Sequence, residues 1–364
     1  MKSVRIRIIT GLLWMLTAGQ LGSLAHAQDA VKEYTRVAVA CCVEPDRRQR
    51  AWEPIRRFNP DLVMMMGDMI DVNADDLEDL TDGYEILSRS RGLRLIRQSA
   101  YTMAIWNESD YALNGRVDNT HRHKAEVRQH FIEYWNEPYN TERYYRQDGL
   151  YGSMFLGQGE RRVQILMLDT RWHRQPLKRA SWWQRQLDYW WHQRGSWQAE
   201  SGAKLLGDKQ WQWLEAQLQQ PAAVRIIASS IPILAGDQGF DTWSLFGNER
   251  QKLRAVLQRT NANGVILVGS GTLWGDLSYD PSATDYGVWQ LTPGSINQNA
   301  RFIPANPFRA GRPSVESRYG TVEVFWLADD PLVTIATRDV DGRVINQQEL
   351  SLSELGSAPA IELE

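Results

Sequence analysis

Cysteine is nearly missing from this chain: its 364 residues include two, the neighbours Cys41 and Cys42. Adjacent cysteines rarely bridge, because the ring they would close is strained. The sequence therefore predicts a fold whose stability comes from its core and not from disulfides. Histidine is scarce too, with six in all. One sign of charge does not dominate; the formal net charge is -3 and no basic run appears, so the electrostatic footprint of a nucleic-acid binder is lacking. The apolar run from Ile8 to Ala18 is too short to span a bilayer with ease. No internal repeat, low-complexity tract or long linker divides the chain, which leaves one large domain.

What is present is a core supply, 43% hydrophobic against 23% charged residues, and an N-terminal leader. Lys2, Arg5 and Arg7 form a positive start, the apolar run follows, and Ala25-His26-Ala27 gives a small-x-small cleavage pattern. Residues 1–27 are expected to be a signal peptide, with an uncleaved anchor as the alternative, and 28–364 a single domain that is not transmembrane after cleavage. The arginines are not adjacent and no cysteine follows the cleavage pattern, so the general secretory route and a periplasmic or secreted location are expected.

Short β-rich runs alternate with helical patterns, which predicts a layered α/β sheet. Strands are expected at Arg36–Cys42, Leu62–Met66, Tyr101–Trp106, Val163–Leu168, Val224–Ser229 and Gly264–Val268. Helices are expected at Gln49–Phe58, Glu78–Gln98 with a break at Gly92, His121–Trp135, Asp208–Leu218 with Asp208 as N-cap, and Asn248–Arg259. After Gly287 the pattern turns to β: Val288–Thr292, Gly320–Trp326, Leu332–Ala336 and Val344–Leu350, the last two joined by the turn pair Asp341-Gly342.

In open α/β sheets ligands bind beyond the carboxyl ends of the strands. Those ends here carry Cys42-Val-Glu44, Gly67-Asp68, Trp106-Asn-Glu-Ser-Asp110, Asp169-Thr-Arg171, Ser229-Ser230 and Gly269-Ser-Gly271. Gly-Asp after a strand suits either a tight turn or a metal carboxylate. Asn107, Glu108 and Asp110 form a second acidic group, which reads as a metal site or as a solvated turn capped by Asp110. Arg171 offers a planar fork for a phosphate, or for an acidic neighbour in a structural ion pair. Of the five histidines beyond the leader, His121, His123 and His130 fall on a predicted helix, His192 in a Trp-rich segment, and His173 close enough to the sheet edge for a phosphate contact or an ordinary core role. Tryptophans crowd 182–197; they form a packing stripe or an aromatic platform for a glycan or lipid.

The spaced motifs Asn59-Pro-Asp-Leu62 before Gly67-Asp68, Leu168-Asp-Thr-Arg171, Leu206-Gly-Asp-Lys-Gln-Trp-Gln-Trp-Leu214, Ser229-Ser-Ile231 and Asn263-Gly-Val265 resemble the alkaline phosphatase D (PhoD-like) family from about Arg36 to Leu350. The resemblance implies a calcineurin-like metallophosphoesterase sandwich, two mixed β-sheets flanked by helices, and hydrolysis of small phosphate esters at a two-metal site. Carried over position by position, the family's G-S-C falls on Ala40-Cys41-Cys42 and its G-D-N on Gly67-Asp68-Met69. Its W-D-D-H-D falls on Trp106-Asn107-Glu108-Ser109-Asp110, and its G-D-R-H on Ser270-Gly271-Thr272-Leu273.

A leucine cannot offer a lone pair, and the Met69 thioether is a soft ligand where iron, manganese or calcium would need hard ones. The remaining candidate metal ligands are Cys42, Asp68, Asn107, Glu108 and Asp276, with Asp71 beside them, and the candidate catalytic groups are Asp110 and Arg171. Any calcium, iron, manganese or magnesium is expected to be reduced in number or absent. The sequence thus carries two readings: an exported family member that is a pseudoenzyme or weakly active, and an active metal-dependent phosphomonoesterase or phosphodiesterase with an altered site.

Overall fold

A computed structural model describes residues 32–70, 77–111, 118–178, 181, 197–200, 202–236 and 239–357. The elements below all belong to the unit Glu33–Glu364.

The thirteen strands described form two sheets. The first has the order β13-β12-β11-β1-β2-β3, with β1 at Tyr34–Ala40, β2 at Leu62–Met65, β3 at Tyr101–Ala104, β11 at Tyr319–Phe325, β12 at Leu332–Arg338 and β13 at Val344–Ser351. Strands β1, β2 and β3 are parallel, and β11 to β13 run antiparallel beside β1. The second has the order β10-β8-β9-β7-β6-β5-β4, with β4 at Gly152–Leu156, β5 at Val163–Leu168, β6 at Val224–Ser229, β7 at Val265–Gly269, β8 at Gly275–Asp280, β9 at Val288–Pro293 and β10 at Arg309–Ser314. Here β5, β6, β7 and β9 are parallel and the outer strands antiparallel.

Period-two burial makes this a layered molecule. Ile165 and Met167 of β5, Ile226 of β6 and Val268 of β7 join Val37, Val322 and Ile335 of the first sheet in one core. Their alternates Leu166, Leu168, Ile227 and Leu267 face a second core, built with α7 (Asp208–Leu218) and α8 (Gly247–Arg259). Strands buried on both faces read as continuous apolar runs, which is why β5 and β6 lie at the bounds expected of them.

Differences from expectation lie at the ends of elements and in polar strands. The helical stretch expected over Glu78–Gln98 is two helices, α2 (Leu77–Ser88) and α3 (Arg91–Ser99). Ser90 starts the second by accepting a hydrogen bond from the Leu93 N–H at 3.4 Å, so the break precedes Gly92. That glycine instead lets α3 close on α1 (Trp52–Phe58): a Cβ there would stand 2.6 Å from the Trp52 Cβ. The N-cap of α7 is Gly207, and Asp208 opens the first turn, where its charge complements the helix dipole. The shorter helices α4 (Glu108–Tyr111) and α6 (Glu142–Tyr145) flank α5 (Lys124–Trp135), which starts three residues after His121, with His123 as its cap. At the β12–β13 turn Gly342 has a φ of 89° and its N–H donates to the Asp339 carbonyl at 3.1 Å, as the Asp-Gly pair implied. No helix among the described residues is long and apolar enough to cross a membrane.

Candidate functional site

Strands β2 and β3 of one sheet and β5, β6 and β7 of the other deliver their carboxyl ends to one place. There the backbone turns sharply: Gly67 has a φ of 83°, Asp68 of 54°, Gly271 of 73° and Cys42 of 61°. Only glycine takes that region freely, and a left-handed cysteine is uncommon. The Cys42 turn is stapled to the Gly67-Asp68 turn by Cys42 N–H to the Gly67 carbonyl at 3.1 Å and Val43 N–H to the Asp68 carbonyl at 2.8 Å.

Asn107 stands at the centre. Its amide donates to Asp68 Oδ2 at 2.6 Å, while its carbonyl oxygen accepts from Arg171 Nε at 3.1 Å and also from Arg171 Nη2. Arg171 Nη2 donates on to Asp241 Oδ2 at 2.7 Å, and Arg174 Nη1 to Asp241 Oδ1 at 2.6 Å. Gly67 and Gly271 permit this: a Cβ on Gly67 would lie 2.5 Å from Asn107 Cβ, and one on Gly271 2.8 Å from Asn107 Nδ2. The result is a hydrogen-bonded relay of Asp68, Asn107, Arg171, Asp241 and Arg174, with Asn107 as the neutral link between the first acid and the first arginine. Arg171 and Arg174 are 0% and 1% exposed.

Asp68 and Asp110 also accept hydrogen bonds from nearby backbone. Asp68 Oδ1 accepts from the Ser109 N–H at 3.0 Å. Asp110 Oδ2 accepts from the Asp68 and Asn107 N–H groups at 2.6 and 2.9 Å, and Oδ1 from Met69 N–H at 2.9 Å, so Asp110 braces the two turns against each other. Burial, and after it the charge of Asp68, pushes the Asp110 carboxyl up to about 7. Burial also raises Asp68, against its hydrogen bonds from Ser109 and Asn107 and the Arg171 charge. Glu108 is raised by burial and opposed by Arg171. For Asp241 burial acts upward, but Arg171 and Arg174 outweigh it and hold the carboxyl below the ordinary value.

Two expectations about the ligands are corrected. Cys41 and Cys42 are joined as a disulfide despite their adjacency, so Cys42 carries no free thiol in this state. The left-handed turn at Cys42 accommodates the pairing. Asp276 is not part of the cluster; it sits on β8, where Arg309 Nε donates to it at 2.9 Å. Among the described residues no three or more His, Cys, Asp and Glu side chains group closely enough to hold a metal ion. Asp71 and the tryptophans of 182–196 lie outside the described residues. His173 bonds through Nε2 to the Asp148 carbonyl at 3.1 Å, away from the relay.

Sequence reasoning singled out neither Asp169 as an anchor nor the pair Arg174 and Asp241. Asp169 accepts from Trp106 Nε1 at 2.9 Å and from three backbone N–H groups, of Leu150, Arg171 and Trp172, and so ties the end of β3 to the end of β5. It was visible within Leu168-Asp-Thr-Arg171. Asp241 is in a loop with no motif, 70 and 67 residues from the two arginines it pairs with, and had no local signal. Among the described residues, Arg171 Nη1, Arg174 Nη2 and Ser270 Oγ are buried with no hydrogen-bond partner.

A two-sheet sandwich with its polar cluster at the joined carboxyl edges is the architecture of the phosphoesterase class. Among solved structures the chain resembles PhoD, with 15% identity, a TM-score of 0.63 and coverage of 88% of this chain and 69% of that one. It also resembles a dimetal phosphatase from Danio rerio, at 12% identity and TM-score 0.50 over 87% of this chain and 99% of that one. A third is GAP50, the anchor in the inner membrane complex of Plasmodium, at 13% identity and TM-score 0.52 over 88% and 89%. The model of the PhoD-like phosphatase family matches residues 104–301, more than half of the chain, and the protein belongs to that family. A search of the curated proteins by sequence finds no match.

Proposed function

We propose that this protein is an exported PhoD-like family member whose sheet edge binds a phosphate ester or related oxyanion without efficient turnover. The observation that carries the reading is Arg171, a permanent cation fixed between Asn107 and Asp241 among the acids that would otherwise gather metal ions. A two-metal centre needs several free oxygen, nitrogen or sulfur donors around ions about 3.5 to 4 Å apart. Here both oxygens of Asp68 and of Asp110 already accept hydrogen bonds, the Asn107 carbonyl accepts from a guanidinium, and Cys42 is bonded to Cys41. Among the described candidates at this edge Glu108 accepts no hydrogen bond, and a single such carboxylate does not fit a pair of ions; no step is derived through one.

The unpartnered N–H groups of Arg171 and Arg174 and the Ser270 hydroxyl support the oxyanion, since buried donors without partners are costly unless a ligand satisfies them. GAP50 provides a precedent for this fold in an anchoring role. Export is supported by the leader pattern of residues 1–27. A glycan or lipid contact through 182–197 is part of the proposal on the strength of its tryptophans alone.

The alternative is an active phosphomonoesterase or phosphodiesterase with an altered site, favoured by family membership. Elemental analysis of the chain from Gln28, with aryl phosphate mono- and diester assays in added iron, manganese and calcium, separates the two. The expected result is no stoichiometric metal and no turnover; activity created by combining Ser109→His with Leu273→His would mean that the scaffold is intact and only ligands are missing. Bound metal with turnover abolished by Asp68→Ala would establish the enzyme instead.

A further inference from the structure

On the first sheet, α1 packs on α3 and leaves a groove of about 360 Å³ that shares no lining residue with the cluster around Asp68. Arg48, Arg50, Arg56 and Arg57 line it, against the two acids Glu53 and Asp341. In the sequence Arg48 and Arg50 stand apart from the pair Arg56-Arg57, and α3, which contributes Gly92 and Leu95 to the lining, adds Arg91 and Arg94 on its exposed side. Packing therefore makes a basic patch on a chain whose formal net charge is -3.

The acids do not quench it. Glu53 is shared between Arg56 at 3.0 Å and Arg57 at 3.5 Å, and Asp341 pairs with Arg50 at 3.2 Å. These pairs are exposed to solvent, where an ion pair contributes at most about 1 kcal/mol and exchanges readily for a better anion. Arg48 has no ion-pair partner among the described residues. The groove falls within the range of roughly 300 to 1,000 Å³ typical of small-ligand sites. Guanidinium forks match phosphate oxygens two at a time, and four of them favour a ligand with several phosphate charges over a single carboxylate.

We propose that this groove is a second anion site, one that binds a polyanion bearing phosphate groups, either free or as the headgroup of an anionic phospholipid. The test is calorimetric titration of the full chain with inorganic tripolyphosphate, alongside co-sedimentation with phosphatidylglycerol vesicles and with phosphatidylcholine vesicles. The variant pair Arg48→Glu with Arg57→Glu is compared with the charge-matched pair Arg301→Glu with Arg312→Glu outside the groove. Arg48→Gln alone, which removes no ion pair, serves where the double reversal impairs folding. Binding is expected to weaken at least about tenfold in the groove pair, measurably in Arg48→Gln, and little in the control pair. Tripolyphosphate binding identifies a free polyanion, and binding to phosphatidylglycerol vesicles alone identifies a headgroup; either supports the site when lost in the groove variants. No binding of either probe by the native chain, or equal loss in the control pair, would overturn it.

Discussion

Asp241 receives hydrogen bonds from two guanidiniums that are almost wholly buried, and its own carboxylate is the counter-charge that lets both remain in the interior. Replacing it by asparagine removes one partner of a buried pair and leaves the other charges uncompensated, a loss of about 3 to 5 kcal/mol. Because the folded-state value of Asp241 lies below the ordinary one, its contribution is present above the unfolded value of about 3.9 and is lost as pH falls through the lower folded value. Urea unfolding at pH 7 should therefore show Asp241→Asn far less stable than the native chain. The gap should narrow as the pH is taken below about 4; a constant gap would mean that the side chain acts by shape alone. Cys41 and Cys42 are tested by alkylation of the unfolded chain, with no site modified before thiol reduction and two after it. Two modified sites without reduction would dispose of the bond.

Elements were legible where burial is two-sided and periodic. Val163–Leu168, Val224–Ser229 and Asp208–Leu218 follow from their apolar spacing, whereas β8 and β10 did not, since their sequences, Gly-Asp-Leu-Ser-Tyr-Asp and Arg-Ala-Gly-Arg-Pro-Ser, are polar and pair at one side of the second sheet. The same contrast holds for the site. Asp68, Asn107 and Asp110 sit in motifs beside strand ends, while the partnership of Arg171 and Arg174 with Asp241 exists only once a distant loop folds over. Gly92 is a similar case, read along the chain as a helix break but used as a contact. Gly92→Ala should gain up to about 1 kcal/mol of helix propensity. It should lose about 1 to 3 kcal/mol to crowding against Trp52. A lowered thermal midpoint is expected, and a raised one would mean that α1 and α3 can separate without cost.

At the scale of the whole molecule, the candidate edge is bridged by the protein's own groups. Trp106 with Asp169, and Asn107 with Arg171, link the carboxyl ends of the two sheets, and Arg171 and Arg174 supply positive charge there. A fold whose sheet edge depended on bound ions would gain about 2.7 kcal/mol from a metal at a hundred times its dissociation constant. For a domain of this size that gain amounts to several degrees of thermal midpoint. On the proposed reading, a fold braced by Arg171 and Arg174 gains nothing from such an ion. Thermal unfolding in a chelator, and again with manganese, calcium or iron in excess, should give midpoints within about 1 °C of each other. A rise of several degrees on adding one ion, abolished by Asp68→Ala, would place a metal at this edge and return the protein to the enzymes it resembles.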